Sequence, residues 1–463
     1  MSGFDLLIAN GTIVDPVSGT APGDIAIADG RIAARLASGS GAAARETIDA
    51  SGLHVFPGLI DTHVHFGFGE PITEYTTETQ HAAIGGFTSI LGYFLSSEGY
   101  GDIFDAEYAH ARARAHVDFG FHFSVASERH VEEMARYVAD YGVTSFKYFM
   151  NFKGEEGRYL GLDGTDDGYF YALLEKAASL GEVTIVVHTE NIELVNRFRR
   201  ASIAGGGMTL KDWNLSKPAI TEAESTIRAL YLAEKLGAQI YIPHISTRMA
   251  LDEVRRWRDR YDRVTVETCP HYLTHDWDAD IGSIGKANPP FRSPDDVAAM
   301  WEGLADGAID VVASDHVPRK RATKEKPVWQ ASQGFPGTAT ILPVLLDQGY
   351  HKGRLSLDRI AQLLTSKPAE AFSMKGKGSL APGADGDVTL VDLEQSRVVD
   401  PAALASYSDY SLYEGWTLRG WPVRAILRGE TIMQDGKVTG AGGYGRYLAR
   451  AASVPMAAAL ART

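Results

Sequence analysis

Between residues 55 and 315 the chain alternates apolar runs of strand length with amphipathic stretches of helix length. The runs read GLIDTHVH (58–65), FTSILGYF (87–94), FGFHFSVA (119–126), VTSFKYFM (143–150), VTIVVH (183–188), AQIYIPHI (238–245), RVTVETC (263–269) and IDVVASD (309–315). Helical stretches such as 167–181 and 221–237 separate most of them, and the second opens on Thr221 with Glu224 three residues on, a capping-box pattern. Alternation of this kind is the signature of βα units around a parallel sheet, and eight units predict a closed (β/α)8 TIM barrel.

The two ends of the chain follow a different rhythm. FDLLIANGTIVD carries two apolar runs around Asn10-Gly11, which predicts a hairpin, and GDIAIADGRIAARL repeats the pattern around Asp29-Gly30. Short strands return after Gly376, in GADGDVTLVDL (383–393) and VRAILRGETIMQDGKV (423–438). The expectation is an α/β protein in which residues 1–56 and 377–440 form a small β-sandwich domain built from both chain ends. The catalytic barrel, 57–376, is inserted between them, and the Ala/Arg-rich residues 441–463 follow as an extended arm or short helix.

Composition narrows the partners. A length of 463 residues suits a barrel of ~250 residues with one satellite domain. The net charge of −14 argues against nucleic acid as a partner. Cys269 is the single cysteine, so no intrachain disulfide forms, which fits a reducing compartment. The start, MSGFDLLIAN, lacks the basic and apolar regions of a signal peptide, and no apolar run approaches the ~18 residues that span a bilayer. A cytoplasmic enzyme with no membrane partner is expected.

The candidate chemistry sits at the ends of the apolar runs. His63 and His65 are two apart on a strand, so both imidazoles leave the same face, with Asp61 on that face too. His188, His244 and Asp315 each close a different run, and the C-terminal ends of barrel strands are where catalytic groups gather. Lys147 lies inside an otherwise apolar strand. A buried ammonium is costly unless it is paired or neutralised. It either reaches a carboxylate at the strand end or, as a neutral amine, takes up carbon dioxide and becomes a carbamate able to bridge two metals.

DTHVH (61–65), SFKYFM (145–150), VHTEN (187–191), PHIS (243–246), CPHYL (269–273), NPPFR (288–292) and ASDHVP (313–318) together resemble the binuclear amidohydrolase superfamily, in its dihydropyrimidinase, hydantoinase and allantoinase branch. The resemblance spans essentially the whole chain. It implies that His63 and His65 bind the more buried metal, that His188 and His244 bind the more exposed one, and that Lys147 is the carboxylated lysine between them. It further implies that Asp315 binds the buried metal and acts as general base and acid. Zinc is the usual metal of such proteins. The implied reaction is the opening of a cyclic amide or ureide by a hydroxide shared between the metals, in an enzyme assembled as a homotetramer or homodimer.

The chain departs from its nearest relatives in places. HVHFGFGEP lacks the arginine that follows HxH in dihydroorotases, whereas Glu70-Pro71 resembles an allantoinase feature. Phe152 stands where hydantoinases carry an oxyanion-stabilising tyrosine, with Tyr148 and Asn151 as neighbouring candidates for that role. His271 has the allantoinase and dihydroorotase form and either contacts substrate or packs, and Asn288 and Gly334 match segments that hold the substrate ring. Phe66, Phe68, Tyr93, Phe94, Phe149 and Phe152 predict an aromatic mouth. The basic run Arg319, Lys320, Arg321 is either a solvated surface or an attractor for a carboxylate-bearing ligand. Allantoinase activity is the alternative reading. A non-catalytic scaffold is the remote one, and it is disfavoured because every ligand position is filled.

Overall fold

The computed structural model of the protein describes residues 3–154, 157 and 164–450. Eight parallel strands follow one another in sequence order around a barrel: Leu59–His65, Phe87–Phe94, Asp118–Ser124, Ser145–Phe149, Thr184–His188, Gln239–Ile242, Val264–Thr268 and Val311–Val312. The eighth is the shortest. The ring closes just beyond it, where His65 N–H donates to the His316 carbonyl (2.8 Å) and His316 N–H to the His63 carbonyl (3.1 Å). Helices such as Pro71–Ile84, Asp167–Ser179 and Ile220–Leu236 cover the outside. Most of their buried side chains join one large apolar core with the strands.

The helix expected from Thr221 starts one residue earlier, at Ile220, and carries no capping box. Thr221 Oγ1 donates instead to the Pro218 carbonyl (2.8 Å), and Glu224 accepts from Asn191 Nδ2 (2.7 Å). The helix does stop where expected, on Gly237 in the left-handed conformation.

The small β-sandwich domain is built from both chain ends, and its nine strands are hydrogen-bonded continuously, with Val388–Val398 beside His54–Pro57 joining the two halves. Asp29-Gly30 makes the expected hairpin turn between Gly19–Ala28 and Arg31–Leu36. Asn10-Gly11 does not. Phe4–Asp15 is a single strand paired with Gly19–Ala28 on both sides of a bulge, and Asn10 takes a φ of 62° within it. A turn there would break that pairing, and a bulge absorbs the left-handed residue while keeping it.

Residues 441–450 form no helix. They lie along the third barrel strand, where Phe119 N–H donates to the Arg446 carbonyl (2.9 Å) and Leu448 N–H to the Phe119 carbonyl (2.7 Å). The third and fourth strands pair only at Phe123–Phe146 and Ser124–Lys147, and the Arg450 guanidinium enters below that junction, donating to Ser145 Oγ (2.7 Å) and the Phe121 carbonyl. The rest of the expected arm, 451–463, lies outside the described residues. No described helix is long and apolar enough to cross a membrane.

Candidate active site

The first strand delivers His63 and His65 to the C-terminal mouth of the barrel, and the loop after the eighth strand brings Asp315 to them. Oδ1 of Asp315 lies 3.0 Å from His63 Nε2 and 3.1 Å from His65 Nε2, and the three ligand atoms are all within 4.8 Å of one another. The other ring nitrogen of His63 donates to Glu267 Oε1 at 2.7 Å. Glu267 also accepts from Tyr241 Oη (2.7 Å) and from the His244 backbone N–H (3.1 Å). A carboxylate that fixes the tautomer of a histidine in this way is the usual support behind a metal ligand.

Four strands away, His188 and His244 form a second pair, with Nδ1 and Nε2 2.9 Å apart. Their rings either share a proton or aim both lone pairs at a common cation. The His63 and His244 ring centroids are 5.4 Å apart, so the two pairs adjoin. Lys147 rises among them from the fourth strand, almost wholly buried, with its amine 4.9 Å from the Tyr93 ring and 5.1 Å from the Phe149 ring. No described carboxylate pairs with it. Burial draws the amine down to about 8 against the pull of Asp315 and Glu267.

His244 and Asp315 both have left-handed backbone, with φ of 40° and 51°. Neither is glycine, so the fold holds both in strained conformations at the place where their side chains converge. Burial alone would raise the Asp315 carboxyl, but His63 and His65 outweigh it and hold Asp315 well below the usual carboxylate range. Burial opposes a charge on His63, yet Glu267 and Asp315 lift its pKa to about 9. His65 is brought down to about 4, chiefly by burial.

Asp61 was expected on the same face as the two histidines, and the structure places it elsewhere. The ladder between the first two strands shifts register between Asp61 and Val64, and Asp61 turns to Ser314 and Thr338. It accepts from the Ser314 N–H (3.1 Å) and from Thr338 Oγ1 (2.8 Å), which fastens the residue next to Asp315.

These residues fit a pair of divalent cations. The buried Nε2 of His63 has no hydrogen bond of sound geometry, although a carboxylate oxygen of Asp315 lies 3.0 Å away. Buried ring nitrogens without partners are rare. Imidazoles, a carboxylate and a lysine able to become a carbamate suit zinc and its neighbours.

A cavity of about 600 Å³ opens above this cluster. Phe68, Phe149, Phe152, Trp213 and Trp329 give it aromatic walls, with Asn288 and Gly334 at its edge.

The family pattern described as "Amidohydrolase family" matches residues 165–432. The chain is 37% identical over 458 residues to the allantoinase of Rubrobacter xylanophilus, which covers 97% of this chain and 98% of that protein. It is 34% identical over 475 residues to a D-phenylhydantoinase of Escherichia coli, covering 97% and 99%. The solved dihydropyrimidinase of Brevibacillus agri superimposes with a TM-score of 0.89 at 29% identity, covering 96% of this chain and 98% of that one. The chain belongs to the amidohydrolase family. It is an enzyme, a hydrolase of carbon–nitrogen bonds in cyclic amides.

The aromatic walls of the cavity offer few free donors. Phe152 lies flat on Phe149, ring centroids 4.1 Å apart, and offers no donor. Tyr148 does not replace a tyrosine there, because its hydroxyl is taken up by Thr165 (3.1 Å) and the Asp166 carbonyl (3.3 Å). Asn151 is buried with its amide unpartnered, beside the cavity rather than in its lining. Phe66 and Phe94 pack away from the mouth, against Tyr75 and Tyr100, and Tyr93 lies beneath the two histidines, stacked on His65 at 5.0 Å. His271 packs against Phe335 (4.9 Å), outside the cavity lining. Asn288 Oδ1 accepts from the buried Lys217, which also pairs with Glu190 at 3.0 Å. Gly334 has a φ of 80°, and a Cβ there would lie 2.5 Å from Val317, so the position needs glycine. Its carbonyl is held by the Lys324 ammonium, which also donates to the carbonyls of Lys286 and Ser332. Cys269 is buried, and burial pushes its thiol far up, as suits packing.

Sequence reasoning missed Glu267, Trp213 and Trp329. Glu267 carried the signal that singled out Lys147, a charged residue inside an apolar strand. The two tryptophans lie outside the strands and gave none.

Proposed function

We propose that the protein opens a cyclic amide or ureide by adding water to the ring carbonyl carbon, with two divalent cations, zinc by the donor set, held by His63, His65, Lys147 as its carbamate, His188, His244 and Asp315. Such a pair would supply a water whose pKa is brought toward neutrality and a Lewis acid for the carbonyl oxygen. Asp315 then takes the proton of the attacking water and delivers it to the ring nitrogen as the C–N bond breaks. The aromatic walls hold the ring and exclude bulk water. Asn288, its oxygen fixed by Lys217, and the backbone around Gly334 orient the ring amide. His271 and Phe152 enter as neighbours that shape the pocket.

The observation that carries this reading is Lys147, buried among four histidines and Asp315 with no ion-pair partner among the described carboxylates. Two measurements test it together: metal content near two per chain, and a carbamate signal after loading with labelled carbon dioxide. A panel of cyclic amides then decides the ring, with substituted rings expected to turn over faster than unsubstituted hydantoin. Allantoin belongs in that panel because the allantoinase relative is the more similar of the two, at 37% against 34%. The same reading holds the enzyme to be a cytoplasmic homodimer or homotetramer, which sedimentation would test.

A further inference from the structure

The cavity wall is cationic in an acidic protein. Arg199, Lys286, Arg319 and Lys326 all line it, and Asp315 is the single acidic residue among the described lining, against a net charge of −14 for the chain. The basic run after the eighth strand splits in two. Lys320 donates to the Tyr407 carbonyl, and Arg321 pairs with Glu414 and, at 3.7 Å, with Glu325. Both are therefore spent on neighbouring loops.

Arg319 differs from its two neighbours. Its backbone N–H is fixed by Ser408 Oγ (2.9 Å), and its guanidinium lies 4.7 Å over the Phe68 ring. No described carboxylate is within ion-pair distance, and its buried Nε has no hydrogen-bond partner. Phe68 in turn meets the His65 ring edge-on, with centroids 5.8 Å apart. A planar guanidinium is thus held one aromatic ring away from a candidate metal ligand, with donors unspent. That is the equipment for two-point binding of a carboxylate.

We propose that the natural substrate carries a carboxylate on an arm of its ring and that Arg319 binds it. This rests on the reading of the protein as a cyclic amide hydrolase and names the substrate class within it. The carboxylate formed by ring opening does not account for Arg319. It arises at the carbonyl carbon beside the histidines, while the guanidinium lies over Phe68, a ring that itself packs against His65.

The test compares 5-(2-carboxyethyl)hydantoin with its carboxamide twin on the metal-loaded enzyme, by turnover and by the rise in melting temperature on binding. The acid is expected to exceed the amide in kcat/KM by on the order of tenfold to a hundredfold, the worth of a charged hydrogen-bonded pair. R319M should bring that ratio near one, and R319K should restore part of it, since an ammonium makes only a point contact. R321M should keep the ratio, because that guanidinium is already engaged by Glu414. Equal ratios in wild type and R319M, or an equal loss in R321M, would overturn the proposal. If neither ring is opened, the functional reading fails. The carboxylate site is then decided by whether the acid alone stabilises wild type and not R319M.

Discussion

Glu267 Oε1 accepts the Nδ1 proton of His63 across 2.7 Å, where neither side chain meets solvent. That single bond fixes which nitrogen of His63 faces the site. The same carboxylate accepts the His244 backbone N–H at 3.1 Å, so one residue of the seventh strand orients ligands of both candidate metals. In Glu267→Gln the charge behind His63 is lost while the shape is kept. Zinc affinity is expected to fall about 10–100-fold, read by competition with a chelator. A variant that holds zinc as tightly as wild type would refute the coupling.

Asp315 offers a cleaner separation of chemistry from folding. Its φ of 51° is one that asparagine adopts at least as readily as aspartate, so the backbone does not oppose Asp315→Asn. Asparagine cannot carry the proton. We expect kcat to drop by about 10²–10⁴-fold, while the variant still melts in one cooperative transition, at a lower temperature because the charge facing His63 is lost. Steady-state kinetics beside a thermal melt would show it, and retention of kcat would remove Asp315 from the proton path.

Much of this is legible in the sequence. The barrel could be read because strands buried on both faces must be apolar throughout, so His63, His188, His244 and Asp315 stood out near run ends and Lys147 inside a run. What the pattern could not show was direction after the strand stops. Asp61 shares a two-residue spacing with His63, yet a register shift turns it toward Ser314. Asn10-Gly11 has the chemistry of a turn, and only the pairing of Phe4–Asp15 with its neighbour on both sides makes it a bulge. Arg319, Lys320 and Arg321 look alike in sequence. Their partners lie some 90 residues onward, in 407–414, and only those contacts single out Arg319.

A pH effect follows from Glu78. Its Oε2 lies 2.9 Å from His316 Nε2, and it also accepts from Ser406 Oγ (2.6 Å) and the Tyr407 N–H (2.8 Å). Burial would raise this carboxyl, but His316 and His81 outweigh it and bring it from 4.5 to about 2. A folded pKa below the unfolded one stabilises above pH 4.5, and that contribution disappears as pH falls toward 2. The gap corresponds to about 3 kcal/mol at most. Glu78→Gln should be less stable at neutral pH and should lose less on acidification, read from urea midpoints between pH 7 and 3. An unchanged slope would contradict the assignment.

A second group of acids has the spacing of a metal site, and an ammonium occupies it. Asp118, Asp385 and Asp387 converge within 4.8 Å, but the Lys377 ammonium sits among them at 2.6, 3.1 and 2.7 Å. Asp118 begins the third barrel strand, Asp387 directly precedes a strand of the sandwich, and the Arg446 N–H donates to Asp118 at 2.8 Å. One buried cation therefore joins barrel, sandwich and C-terminal segment. Lys377→Met would leave three acids facing one another, with Arg428 beside Asp118 and the exposed Arg31 beside Asp385 for relief. The expected loss is about 3–5 kcal/mol, as for breaking a buried pair from one side. The vacated carboxylates would then have oxygen donors for a hard cation. Millimolar calcium should raise the melting temperature of Lys377→Met and leave wild type unmoved. If calcium shifts both equally, or the variant melts like wild type, Lys377 is not the tie between the domains.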